Sequence, residues 1–420
     1  MNKYISAVKI RIVPLNKNTF DYINNLMYQT NKIYNDAYSH EWVFIKQKLS
    51  ESIIPVKSAK TTKVYHSVRD LHPTFPTAIL SNICHRVKKD FSNDIKNGLF
   101  KGKRTPRLYK YGAPIIYQFN SGGINPNFHN VNDDIILRIK NGLDFKLLFG
   151  KDKSGNKKLL ERLMDKNDKS LNINRVFNVT YNKRDKHYYI IFTYETESED
   201  YEKVKGRVCG IDLGVRRFVS IRLNDNIHVQ KSIHSDDLIR VKMDINKKRR
   251  EYQKSMVMAK GGHGRNRKLK YLDTIRKKEI NFTNTALHKL SKQVIDFCIK
   301  YKVEQINMEL LNRNIDKNSF FSRYWPISNF IDKLKYKVDS YGINLKFVDP
   351  YHTSQICSIC GEIGERNGDT FICQNDKCKI HNENIDSDYN AAYNIAKSKL
   401  YVDKYENTQY YKLKNKEKVL

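Results

Sequence analysis

The sequence predicts two unlike parts: a β-barrel interrupted by helices, then an α/β layer fold carrying a small metal-bound ribbon. Three observations predict this. Residues 115–195 are rich in Tyr and β-branched side chains, broken by turn-forming clusters such as "NKRDK". From about residue 206, strand-like runs alternate with helical ones, as in α/β layer folds. Four of the seven cysteines crowd into positions 357–378. At 420 residues the chain has room for about two to four domains.

In chain order, "YISAVKIRIVP" (4–14) alternates as a strand does. Phe20, Ile23, Met27, Ile33, Tyr34, Ala37 and Tyr38 then recur at helical spacing, and a second helical stretch from Thr77 to Gly98 aligns Ile79, Ile83, Val87 and Phe91. The basic run "KGKRTPRLYKY" follows, and then the strands, clearest in "NRVFNVTYN" and "HYYIIFTYE". The barrel is therefore expected over 1–18 and 100–205, with helices over 19–99 inserted after its first strand. The acidic, polar "ETESEDYEKVKG" ending at Gly206 marks a domain boundary. Beyond it the reading is strand "VCGIDLG", strand "FVSIRL", a helix opening at Ser235, a long helix to about Tyr301, strand "EQINMEL", helix "NFIDKLKYKVDSYG" and strand "INLKFVD". The final "KLKNKEKVL" reads as a solvated tail.

Lys+Arg of 77 against Asp+Glu of 45 gives a net charge of +32, an excess that implies a polyanionic partner, nucleic acid first. Basic stretches mixed with Tyr ("KGKRTPRLYKY", "NKKRREYQK", "KGGHGRNRKLKY") are where backbones would be neutralised and bases stacked. "MNKYISAVKIRIV" lacks the apolar run of a signal peptide or membrane span, so a cytoplasmic protein is expected. Cys84, Cys209 and Cys298 are scattered in apolar contexts.

Asp212 stands in the apolar, glycine-flanked "RVCGIDLGVRRF". An ionised acid buried there requires a cation or strong donors. Glu309 in "EQINMELL" alternates against Ile306, Met308 and Leu310 and points to the opposite face of its strand. In "NIDSDYNAAYNIA" either Asp386 or Asp388 opens a helix whose alanines can pack closely on a sheet. Metal-assisted phosphodiester hydrolysis needs hard oxygen ligands converging from different elements, which three acids on two strands and a helix would supply. Gly210 and Gly214 would let a phosphate backbone approach the first strand, or serve as turn residues. Cys357 and Cys360, then Cys373 and Cys378, form CxxC and CxxxxC pairs suited to one tetrahedral structural zinc, with nearby His381 as an alternative fourth ligand to Cys378.

"GIDLG", "INMELL", "TSQICSICG" and "DSDYNAAYNIA", in that order over residues 206–396, resemble the split RuvC nuclease core of miniature type V-F CRISPR effectors and of the transposon-encoded TnpB proteins. The first half is similar to that family in layout alone, a β-barrel "wedge" with a helical recognition domain inserted. The resemblance implies an RNase H-like nuclease domain over 206–350 and 386–420 and a zinc ribbon over 351–385 that binds target nucleic acid. It further implies that Asp212, Glu309 and Asp388, rather than Asp386, bind catalytic Mg²⁺, two ions being expected, and that Arg366 reaches toward the active site. The CxxxxC knuckle and "IDSDYN" depart from the usual TnpB pattern and lean toward the CRISPR branch. The implied activity is RNA-guided cleavage of DNA, with guide RNA and target DNA as partners and two copies on one guide through the apolar residues of 20–98. Base pairing then reads the sequence, so no base-reading code is expected in the chain. The rivals are a TnpB nuclease, a non-cleaving RNA-guided binding protein and a junction resolvase.

Overall fold

The computed structural model describes residues 3–50, 61–109, 112–118, 127–140, 142–151, 155–165, 168, 170–182, 185–199, 201–257, 263–311, 324–403 and 408. Two compact units divide the chain between Glu197 and Ser198.

In the first unit, β1 (Lys3–Pro14) buries Val8, Ile10 and Ile12 on one face, the period-2 pattern of a half-buried strand. It pairs antiparallel with β5 (Leu143–Leu148) and β7 (His187–Glu197). With β2 (Ile115–Gln118), β3 (Asn127–Val131), β4 (Asp134–Lys140) and β6 (Leu171–Asn182) these form one seven-stranded antiparallel sheet, ordered β2-β6-β7-β1-β5-β4-β3. The strands expected as a barrel thus make a sheet whose edges, among the described residues, are β2 and β3. Helices α1 (Lys17–Ser50), α2 (Thr61–Leu71) and α3 (Thr77–Lys96) intervene between β1 and β2. Sheet and helices share a core in which Ile12, Phe145 and Phe177 meet Ile23, Met27, Tyr34 and Phe91. Most of the apolar stripe expected to serve self-association is therefore consumed at home. Phe20 and Tyr28, 49% and 56% exposed, stay outside it. Two helices depart from the sequence reading: α2, and α4 (Asn156–Met164), which lies in the stretch read wholly as strands and buries Leu160.

The basic run after α3 has a structural role the sequence reading did not give it. Asp94, fully buried on α3, takes hydrogen bonds from Arg107 Nε at 2.7 Å and Nη2 at 3.1 Å and from the Tyr38 hydroxyl at 3.0 Å, with Arg104 paired to its other oxygen. Burial pushes the Asp94 carboxyl up, but the Arg107 and Tyr38 bonds and the arginine charges outweigh it and leave the pKa below the usual range. Asn35 clamps Tyr109 through both its N–H and its carbonyl. Arg104 and Arg107 are thus engaged by an acid of their own chain.

The second unit is built on β8 (Val208–Asp212), β9 (Arg217–Leu223), β10 (Gln230–His234), β11 (Gln305–Glu309) and β12 (Asn344–Val348). Their order is β10-β9-β8-β11-β12, antiparallel across β10, β9 and β8 and parallel across β8, β11 and β12. Strand β10 was not anticipated. Helices α5 (Asp236–Val257), α6 (His263–Lys300) and α7 (Ile327–Ser340) follow β10 and β11. Cys209, Ile211, Ile306 and Met308 pack with Val294, Phe330 and Leu334 of α6 and α7. The other sheet face receives α8 (Ser387–Lys397), with Asn307 donating to the Ile395 carbonyl at 3.0 Å. A three-stranded ribbon, β13 (Glu365–Asn367), β14 (Thr370–Ile372) and β15 (Asn384–Asp386), leads into α8. Among the described residues no helix is long and apolar enough to cross a membrane. The tail 412–420 and residues 260–262 of the third basic run lie outside the described residues.

Candidate active site and zinc centre

Asp212 and Glu309 end neighbouring parallel strands. Register pairs Met308 with Ile211, so the two acids emerge side by side at one sheet edge. Strand parity sends Asp212 to the face of Gly210 and Glu309 to the face of Asn307, both turned toward α8. Gly210 explains the close approach: a Cβ there would stand 1.9 Å from the Ala392 carbonyl oxygen and 2.4 Å from Ala396 N. Gly214 sits in the β8–β9 turn, donating to Arg217 O at 3.1 Å, where a Cβ would meet that carbonyl at 2.7 Å. Gly214 is thus the turn residue that the sequence allowed, and Gly210 makes room for α8.

Asp386 and Asp388 occupy different places at the start of α8. Asp386 is the N-cap of α8, accepting from the N–H groups of Asp388 and Tyr389 at 3.1 Å, the usual service of a capping carboxylate. It also pairs with Arg217. Asp388, in the first turn, is 16% exposed and lies 3.3 Å from Arg366 Nη2 and 3.7 Å from Arg217 Nη1. Arg366 reaches it from β13, whose turn to β14 is held to the start of α8 by Ser387 Oγ donating to Gly368 O at 3.1 Å and Ser387 N donating to Asp369 O at 3.0 Å.

Burial raises the Asp212 pKa well above the usual range, reinforced by the charges of Glu309 and Asp388 and only partly opposed by Arg366 and the Leu213 N–H. Burial likewise raises Glu309 against the Thr353 hydroxyl and Arg366, and raises Asp388, helped by Asp386 and opposed by Arg217 and Arg366. The chain's own cations pair with Asp388, through Arg366 and Arg217, and only partly offset the crowding at Asp212. The donor set of the three carboxylates, all hard oxygens, fits Mg²⁺. The three do not form a tight cluster: among the described residues only the four ribbon cysteines have their donor atoms all within 4.8 Å.

Those four are Cys357, Cys360, Cys373 and Cys378. The Cys357–Cys378 and Cys360–Cys373 sulfurs stand 3.8 and 3.6 Å apart. Sulfurs about 2.3 Å from one tetrahedral zinc would be separated by about 3.8 Å, so the cluster fits a structural zinc. The Ile359 N–H points at Cys357 Sγ at 3.4 Å, and Gly361, at φ +79°, turns the knuckle. His381 is not in the cluster; its Nε2 faces Asn382 and Asp376.

Sequence reasoning passed over two asparagines of "SDYNAAYNIA". Asn390, fully buried, accepts from the Ser358 N–H at 2.8 Å and donates to Ile356 O at 2.8 Å. Asn394 donates to Thr353 O at 2.9 Å and Ile356 O at 2.8 Å. Together they lash the first zinc knuckle to the helix that carries Asp388. Their signal, a polar side chain every fourth residue on an otherwise alanine-rich packing face, was available.

Away from this site, α5 leaves Lys247, Lys248, Arg250 and Lys254 exposed, while Arg249 bonds to Asn246 at 2.8 Å. Tyr252 of the same helix meets Tyr271 of α6 at a tilt of 50°, with ring centroids 4.5 Å apart.

Residues 328–395 match the Cas12f1-like TNB domain model, and residues 191–314 match a probable transposase model. The CRISPR-associated endodeoxyribonuclease Cas12f1 of Syntrophomonas palmitatica is 26% identical over 374 residues, 79% of this chain and 75% of that protein. The Cas12f1 of Sulfoacidibacillus thermotolerans is 30% identical over 223 residues, 52% of each chain. Among solved structures, a Cas12f1–sgRNA–target DNA complex matches in fold with a TM-score of 0.70 at 20% identity, covering 95% of this chain and 100% of that one.

Proposed function

We propose that this chain, a relative of the miniature type V-F effectors and of TnpB, is an RNA-guided DNA endonuclease that hydrolyses phosphodiesters at Asp212, Glu309 and Asp388. The observation that carries the reading is the approach of these acids to one end of a β10-β9-β8-β11-β12 sheet beside a Cys₄ ribbon, where the charges of Glu309 and Asp388 help raise the Asp212 pKa. That strand order supports an RNase H-like nuclease domain, and the seven-stranded sheet with its inserted helices supports the wedge and recognition parts. The three acids would hold two Mg²⁺ ions, with zinc bound by Cys357, Cys360, Cys373 and Cys378. Bound Mg²⁺ supplies a water activated near neutral pH and charge neutralisation at the leaving oxygen. Arg366 stands at Asp388, where its guanidinium can meet a phosphate oxygen of the strand being cut. Arg217 holds the Asp386 cap and so fixes where α8 begins. Guide RNA and target DNA are the partners, and the exposed basic face of α5 is their surface in this unit. Two copies on one guide RNA would use exposed α1 residues such as Phe20 and Tyr28; mass photometry finding one copy per RNA would remove that part.

The test is reconstitution with the RNA that copurifies, refitted with a chosen guide. Matched duplex DNA should be cut with Mg²⁺ and unmatched DNA spared, and Asp212→Ala should bind guide and target without cutting. Cleavage indifferent to the guide would refute the reading. The match to a probable transposase model favours one second reading, a TnpB nuclease. Sequencing the copurified RNA separates the two, since a CRISPR repeat and a transposon end leave different transcripts.

A further inference from the structure

Thr353 joins the elements that carry two of the three acids. It is 5% exposed, its hydroxyl is bonded to Glu309 Oε1, and its carbonyl accepts from Asn394 Nδ2 of α8 at 2.9 Å. The Pro350 carbonyl also lies 3.2 Å from the hydroxyl. Both neighbours are acceptors and a hydroxyl has one hydrogen, so the charged oxygen of Glu309 is the stronger claimant. Behind Thr353, Asn394 and Asn390 both bond Ile356 O, and Asn390 holds the Ser358 N–H beside Cys357. A continuous run of bonds therefore leads from the zinc knuckle through α8 to one oxygen of Glu309.

We propose that Thr353 is a positioning residue for the divalent-ion site, fixing the Glu309 carboxylate against α8 so that zinc-knuckle geometry sets ion affinity. This rests on the reading of Asp212, Glu309 and Asp388 as ion ligands. A carboxylate with one oxygen tethered enters coordination with less freedom to lose. Partners of this kind, when removed, cost about 10–100-fold in metal affinity. Thr353→Val keeps the shape and deletes the hydroxyl, and Thr353→Ser keeps the hydroxyl and deletes a methyl.

The probe is Mn²⁺, titrated calorimetrically into the full chain without nucleic acid, alongside zinc content, melting temperature and the Mg²⁺ dependence of nicking. Thr353→Val should weaken Mn²⁺ binding about tenfold and raise the half-saturating Mg²⁺ in parallel. Its zinc content and melting temperature should stay near wild type. Thr353→Ser should restore most of the affinity. Asn394→Ala, which frees the other end of Thr353, should shift Mn²⁺ affinity the same way by a smaller factor, and keeps the proposal testable if Thr353→Val does not fold. Wild-type Mn²⁺ affinity in Thr353→Val, or in Asn394→Ala where that variant must stand in, overturns the inference, as does a serine variant no better than valine. Asp212→Ala separates the two claims. If Mn²⁺ binding survives in it, the ligand reading falls and this inference with it; if binding is lost there but intact in Thr353→Val, only the role of Thr353 falls.

Discussion

Asp94 in the first unit and Asp212 in the second are both acids set among apolar residues, and their surroundings are opposite. Asp94 is met by two arginines and a tyrosine hydroxyl, and its pKa is lowered. Asp212 is met by two more acids, and its pKa is raised. Asp94 is fully buried and Asp212 half-buried, and both lose hydration; what separates them is the sign of the neighbours. A carboxylate already neutralised by its own chain is holding the fold together. One crowded by its own kind is what the proposed divalent-ion site requires.

The largest break between the two should be in cleavage. Asp212→Ala should cost about 10³-fold or more in rate, roughly 4 kcal/mol of transition-state stabilisation. It should leave the metal-free melting temperature unchanged or higher, because a mutual repulsion is relieved. A markedly lower melting temperature, with activity falling only in step with folded protein, would move Asp212 into the class of Asp94. The complementary change, Asp94→Asn, should cost about 2–4 kcal/mol, near the low end for a broken buried pair because both arginines reach solvent. Denaturant unfolding of the first unit measures it.

Added ions sharpen the contrast. Mg²⁺ at a hundredfold excess over its dissociation constant should stabilise the second unit by about 2.7 kcal/mol and do nothing for it in Asp212→Ala. Acid should act on the first unit. With the folded Asp94 pKa below its unfolded value, its contribution is present above about pH 4 and is lost as pH falls through the depressed folded value. Asp94→Asn should remove that acid-sensitive component. The smallest effect belongs to the basic runs: Lys248→Ala on α5 should lower the salt slope of RNA binding by about one without touching stability. Arg107→Met should do the reverse.

Much of this contrast was legible in the sequence for the second unit and little of it for the first. Around Asp212, Glu309 and Asp388 the pattern is local: an acid inside an apolar strand, or at a helix start, is visible in ten residues. The cysteine pairs announce themselves in the same way. Asp386 against Asp388 was not separable by spacing, since both suit a helix N-terminus, and the cap geometry was needed. In the first unit, "KGKRTPRLYKY" gave no hint that Arg104 and Arg107 were already taken, because their partner Asp94 lies on the preceding helix and nothing in its own sequence marks it as buried. Helix α4 was hidden for a related reason: nine residues between long strands give a 3.6-residue period too few turns to stand out. Asn390 and Asn394 recur at helical spacing on the face of the alanines, but what they hold is visible only with the knuckle in place.

The place of β1 in the first sheet has a consequence in time. It lies between β7 and β5, yet β7 begins at His187, 173 residues beyond the end of β1 at Pro14. At the usual 5–20 residues per second of synthesis, β1 waits about 10–35 s for its longer partner. Through that interval Val8 and Ile10 lack their β7 partners, β5 reaching only the far end of β1 from Arg11 on, while α1, α2 and α3, made next, can already form turns of their own. The helices inserted after β1 thus set much of the wait for β7 and are also the first elements made that share a core with Val8, Ile10 and Ile12.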